Sequence, residues 1–111
     1  MSRDRWHILR DETALTLARR VPVRFDLSAT TQLPEGSRLK VAQQVRQDIW
    51  RALRNLRGFA PVVRVERVIS GLEVTAGGQV AGVFPRAEAE ARIAGVLNDP
   101  RNRARWTRWS R

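Results

Sequence analysis

Arginine and tryptophan are the two residue types whose spacing in this chain suggests a chemistry. Residues 101–111, RNRARWTRWSR, form a tail with five arginines, two tryptophans and no acidic residue. A guanidinium binds phosphate through paired hydrogen bonds, and an indole ring stacks on a nucleic-acid base. The tail therefore predicts a nucleic-acid-binding segment that uses Arg101, Arg103, Arg105, Trp106, Arg108, Trp109 and Arg111.

The sequence allows two expectations for the conformation of the tail. Chain ends are often disordered, and a purely solvated tail is the simpler expectation. Trp106 and Trp109, however, are three residues apart, so a helical tail would present both on one side. We expect the tail to dock on the body of the protein or on a partner. If all five arginines met phosphates, the logarithm of the binding constant would fall with log salt at a slope of about −4.5.

A second set of arginines accompanies a tryptophan in residues 37–57. Arg46, Trp50, Arg54 and Arg57 recur at helical spacing, on the flank of an apolar stripe. Trp50 either stacks a base between phosphate-binding arginines or extends the core beneath the arginine stems. The core is the more frequent role of such a tryptophan. The arginines are expected to be exposed in both cases.

Residues suited to catalysis are few. The chain has one histidine, His7, and no cysteine. It therefore lacks the ligand set of a standard zinc site and has no thiol nucleophile. Glu88 and Glu90 are two residues apart and diverge on a helix. The glycines of GLEVTAGG and AGGQVAG match no phosphate-binding loop. We therefore predict a protein that is not an enzyme and that carries no metal or cofactor.

The charge of the chain favours an anionic partner. The 111 residues carry a net charge of +10, and 20 of the 21 basic residues are arginine. A GC-rich genome accounts for that ratio but not for the net charge. Residues 61–99 contain four basic and five acidic residues, so the excess lies on the 37–57 segment and the tail. Such a field attracts nucleic acid first, and then an anionic membrane or an acidic protein surface.

Composition and length predict one soluble domain. The hydrophobic fraction of 42% is that of a globular protein. No apolar run is long enough to cross a bilayer, and the N-terminus has no secretory signal pattern. We expect a cytoplasmic location. Three regions are predicted: a weakly ordered or short-helical segment over 1–20, an α+β core over 21–100, and the basic tail.

Periodicity assigns elements to the core region. Alternating apolar residues predict a strand over 21–29, and the apolar stripe from Val41 to Leu56 predicts a helix over 37–57 with Ser37 as N-cap. Residues 62–84 predict a three-stranded meander with turns at Ser70-Gly71 and Gly77-Gly78. A second helix follows Pro85 and stops at Asn98, Asp99 and Pro100. The order β-α-β-β-β-α predicts an antiparallel sheet with both helices on one face.

The order α-β-β-β-α over residues 37–98 resembles that of double-stranded-RNA-binding domains. Those domains place a lysine-rich motif at the start of their last helix. This chain has RAEAEAR there, over residues 86–92. The resemblance is one of element order, and no family is assigned on it.

Three hypotheses for function follow from these patterns. The first is a small basic nucleic-acid-binding protein that prefers RNA or single strands and uses backbone and stacking contacts. The alternative is an assembly or adaptor subunit whose Arg/Trp tail docks on an acidic protein partner. Peripheral contact with an anionic membrane is a third hypothesis. Self-association through an exposed edge of the meander is a further prediction.

Overall fold

The sheet and helices are defined by a computed structural model that describes residues 6–111. Five antiparallel strands have the spatial order β1-β2-β4-β5-β3, and three helices accompany them. The predicted α+β class is confirmed. The elements along the chain are β1 (His7–Arg10), β2 (Ala14–Ala18), β3 (Leu27–Leu33), α1 (Arg38–Leu53), β4 (Phe59–Val68), β5 (Gly71–Val80), α2 (Arg86–Asn98) and α3 (Pro100–Arg108).

The long amphipathic helix forms where the apolar stripe predicts it. The Ser37 hydroxyl accepts a hydrogen bond from the Lys40 amide at 3.2 Å and so caps the first turn. The stripe packs on the sheet and is buried at Val41, Ala42, Val45, Ile49 and Leu53. The helix ends at Leu53, four residues before the predicted end, and Gly58 follows with a φ of 69°. α1 lies over β2 and β4 and also contacts α2 and α3.

The N-terminal region belongs to the sheet, in place of the weakly ordered or short-helical segment expected over 1–20. Residues 1–5 lie outside the described part. Leu15 and Leu17 of β2 are buried beneath the helices and pair with Val65 and Val63 of β4. The Asp11 carboxylate turns the chain by accepting hydrogen bonds from the amides of Thr13 and Ala14 at 3.0 and 2.8 Å. These bonds, that from Ala14 first, lower the pKa of Asp11.

The strand expected at 21–29 occupies Leu27–Leu33 instead. The chain before it is held by Asp26, whose amide donates to the Gly78 carbonyl and whose carboxylate accepts from the Val80 amide, both at 2.8 Å. These bonds fix the entry of the strand, which then pairs with β5 from Leu27 to Leu33. β3 is an edge strand of the sheet.

The segment predicted as a three-stranded meander is one hairpin. β5 runs through Gly77-Gly78 to Val80, so these glycines are not a turn and QVAGVF is not a separate strand. A Cβ on Gly77 would overlap with the Leu27 carbonyl oxygen, and one on Gly78 with that of Ala60. Glycine is thus required by close strand approach. The two helices α1 and α2 are separated by two strands, which differs from the order in double-stranded-RNA-binding domains.

The sheet has a helix-covered face and an open face. β4 and β5 are interior strands, so the meander offers no free edge for self-association; the edges are β1 and β3. Strand alternation places Arg64, Glu66, Glu73 and Thr75 opposite the core residues, on the open face. Within residues 6–111, no helix combines the length and apolar character needed to span a bilayer.

Candidate nucleic-acid interface

The tail is a helix docked on the body. The Asp99 carboxylate caps α3 by accepting from the amide of Arg101 at 2.8 Å, and Pro100 occupies the first turn. Trp106 is 0% exposed and lies in the core, and its indole N–H donates to the Asp48 carboxylate of α1 at 2.7 Å. The sequence assigned Trp106 to the binding surface; in the structure it is a core residue, beyond the reach of a ligand.

Two tail arginines are used to fix α3. The Arg103 guanidinium donates to the Thr31 hydroxyl and the Gln32 carbonyl, both at 2.6 Å, and to the Leu97 carbonyl at 3.1 Å. Arg105 is hydrogen-bonded and ion-paired to Asp48. Both were predicted to bind nucleic acid, but Nη1 and Nη2 of Arg103 and Nη2 of Arg105 already have acceptors within this chain. The charge of the tail is therefore partly structural.

The other tail residues that the sequence assigned to the binding surface are exposed. Arg101, Arg108, Trp109 and Arg111 are exposed, and the side chain of Trp109 is 63% exposed. Trp109 is the C-cap of α3, where the backbone leaves the helix, so its ring does not follow Trp106 into the core. The helical spacing that predicted a shared side for both tryptophans applies only as far as Arg108.

The predicted flank of α1 is divided. Arg46 and Trp50 lie on the helix, with Trp50 44% exposed and Arg46 half-buried. Arg54 is the C-cap and Arg57 follows the end of the helix; both are exposed, and neither lines the recess around Trp50. The core role expected for Trp50 does not describe a side chain that is almost half in solvent.

Arg46 and Trp50 share a recess with residues that sequence reasoning missed. Its walls, which define what we call the recess, are Trp6, Arg19, Arg46, Trp50 and Pro61. The Arg46 guanidinium lies over the Trp6 ring at 4.6 Å from its centroid, and that of Arg19 at 5.6 Å. Reading residues 7–18 as a hairpin would have found this site, because His7 pairs with Ala18 and so brings Trp6 beside Arg19.

Arg46 is an arginine whose charge is incompletely satisfied. Among the described residues, its buried Nε has no hydrogen-bond acceptor, and Nη1 of Arg38 is in the same condition. Burial lowers the pKa of Arg46, and the positive charge of Arg19 lowers it further. No carboxylate of residues 6–111 lines the recess. A buried donor without an acceptor is unfavourable, and an anion in the recess would offset the positive charge of the Arg46 guanidinium.

The open sheet face does not combine arginine with an exposed aromatic ring as the recess does. The open sheet face carries Glu66 directly opposite Glu73. Of the phenylalanines and tryptophans, the five strands hold only Phe59, which lies in the core. Of the residues weighed for catalysis, His7 is exposed on β1. The Glu90 carboxylate accepts a hydrogen bond from the Ser28 amide at 3.1 Å. Residues 6–111 contain no cluster of three or more metal-ligating side chains.

Comparisons with known proteins give no relative to argue from. No protein-family model matches the chain, and no curated protein or solved structure shows significant similarity to it. Function must therefore be argued from the geometry of the chain itself.

Proposed function

We propose that this protein binds single-stranded nucleic acid, RNA or DNA, at the recess on α1. A phosphate sits against the Arg46 guanidinium, and the adjacent base stacks on the exposed ring of Trp50. The contacts are to phosphates and to the faces of bases, so binding has little sequence preference.

The observation that carries this proposal is the state of Arg46. Its guanidinium is half-buried, stacked on Trp6, close to Arg19 and short of an acceptor for Nε. A phosphate in the recess supplies negative charge to this partly desolvated guanidinium and accepts hydrogen bonds where Arg46 lines the recess. Trp6 holds the guanidinium in place, so little side-chain freedom is lost on binding.

The exposure of Trp50 favours a single strand over a duplex. Stacking needs the face of a base, which is covered by neighbouring base pairs in a helix and free in a single strand. Trp50 presents part of its ring on a rigid helix beside the phosphate site. The open sheet face is the less suitable platform because of its glutamates.

The test is fluorescence anisotropy with a labelled 12-nucleotide single strand at 50 mM salt. Trp50→Ala should weaken binding by about 5- to 150-fold, the range for loss of one stacked base. Arg46→Ala should also weaken it, whereas Arg67→Ala, an exposed arginine on β4, removes the same charge elsewhere and should have a smaller effect. No binding by the wild type, or equal losses from Arg46→Ala and Arg67→Ala, contradicts the proposal.

The adaptor alternative stays a prediction in altered form. A free tail that orders on an acidic partner does not match α3, because Trp106, Arg103 and Arg105 are bound within the chain. A protein partner would instead meet the exposed Trp109. Retention of a protein after nuclease treatment, lost in Trp109→Ala, would support that alternative.

A further inference from the structure

Trp109 stands beside a second depression on the outer face of α1. This groove is lined by Lys40, Gln43, Gln44, Arg46, Gln47 and Trp109. Arg46 also lines the recess, so the two depressions meet at its side chain. No acidic residue of the described chain contributes to the groove. Both depressions lie along α1, one beside Trp50 and the other beside Trp109.

Trp109 is fixed at the surface although it is near the end of the chain. Its amide donates to the Arg105 carbonyl at 3.1 Å, and the next residue, Ser110, is 2% exposed. The Ser110 carbonyl accepts from the Ser37 amide at 2.6 Å, which joins the end of the chain to the cap of α1. The exposure of Trp109 therefore does not come from fraying of the terminus. An indole held in solvent on an anchored backbone is a preformed stacking platform.

The groove between the tryptophans offers the chemistry of a nucleotide. Lys40 and Arg46 supply positive charge for phosphates. The amides of Gln43 and Gln47 carry both donors and acceptors, which suit the hydrogen-bonding edges of exposed bases. Within residues 6–111, the side-chain amides of Gln43 and Gln47 make no hydrogen bond, whereas that of Gln44 donates to the Lys40 carbonyl at 3.4 Å.

We propose that the groove is a second nucleotide subsite, so that one strand runs along α1 with bases stacked at Trp50 and at Trp109. The inference rests on the proposed function of the recess and extends it to a defined path. Gln43 lies near the middle of the groove's residues on α1 and is seven residues from Trp50, or about 10 Å along the helix at 1.5 Å per residue. A stacked strand advances about 3.4 Å per nucleotide, so about three steps connect the platforms. A strand of about four nucleotides occupies both.

The experiment measures anisotropy for labelled oligouridylates of two, four, six and eight nucleotides. Wild-type affinity should rise steeply from two to four nucleotides and only slightly thereafter. Trp109→Ala should weaken binding of the six-nucleotide strand about 10-fold, and Trp109→Phe should restore part of the loss because a smaller ring still stacks. Ile69→Ala, which removes a fully exposed apolar side chain from the β4–β5 turn, is the matched control and should bind like the wild type.

The outcomes separate this inference from the proposed function. If the wild type binds no oligonucleotide, both are overturned. If it binds, and Trp50→Ala weakens it while Trp109→Ala binds every length as the wild type does, the second subsite is overturned and the recess stands. A loss in Trp109→Ala that appears at four nucleotides and above supports the path along α1.

Discussion

Trp106 and Trp109 show how far identical side chains three positions apart can diverge. Trp106 has a hydrogen-bond acceptor, Asp48, on the helix it packs against, and its ring completes the core. Trp109 falls where α3 ends, and its ring remains 63% exposed. Spacing alone could not separate these roles, because the separation depends on where the helix stops and on a carboxylate 58 residues away.

The first prediction contrasts these two tryptophans. Trp106→Ala should lower the free energy of unfolding by about 3–5 kcal/mol, since it opens a cavity and leaves the Asp48 carboxylate without one donor. Trp109→Ala should change it by no more than about 0.5 kcal/mol. Urea denaturation followed by circular dichroism measures both. Equal stabilities for the two variants would show that Trp106 is not part of the core.

The second prediction concerns Asp26 and pH. Hydrogen bonds from the Arg24 side chain, and then from the Val80 amide, lower the pKa of Asp26 in the folded state. The unfolded value is about 3.9, so the stabilisation is complete above that pH and is lost as the pH falls through the folded pKa. The melting temperature of Asp26→Asn should therefore lie below that of the wild type at pH 7, and the gap should narrow below about pH 4. A gap that widens on acidification contradicts this assignment.

At the scale of elements, the sequence predicted what periodicity determines and missed what pairing determines. The stripe of α1 and the buried residues of α2 have long helical repeats, which are strong local signals. The short strand β2 is stabilised by pairing with β4, about 50 residues away, and β1 in turn pairs with β2. No local pattern reports the long-range pairing. α3 did have a readable start, Asp99-Pro100, because aspartate caps a helix and proline opens one.

The third prediction tests why β5 contains glycine at positions 77 and 78. Gly77→Ala should destabilise the fold by more than about 1 kcal/mol, because the added methyl group overlaps with the Leu27 carbonyl and pushes β3 from the sheet. Gly95→Ala is the matched control: its position in α2 is open, and helix propensity predicts a gain of up to about 1 kcal/mol. Thermal unfolding measures both signs. A Gly77→Ala variant as stable as the wild type would show that the close approach of β3 does not require glycine at this position.

At the scale of the whole molecule, the sequence predicted two of the five residues that form the recess. The helical wheel found Arg46 and Trp50, since both lie on one element. Trp6 and Arg19 were missed because the hairpin that carries them reaches α1 only in the folded chain. Positive charge does gather on α1 and α3, but Asp48 and backbone carbonyls use part of it to hold the helices together. The charge count of the tail therefore overstates the charge available to a ligand.

That distinction gives the fourth prediction, on salt dependence. On a single strand, at about −0.7 per phosphate, five tail arginines would give a slope of about −3.5 in log binding constant against log salt. The path along α1 offers two cations, Lys40 and Arg46, so the slope should be about −1.4, a loss of about 7-fold from 50 to 200 mM salt. Lys40→Ala should make the slope shallower by about 0.7, and Arg101→Ala, on α3 away from the path, should leave it unchanged. A slope near about −3.5, or one that Arg101→Ala reduces as much as Lys40→Ala does, would place the phosphates on the tail instead of on α1.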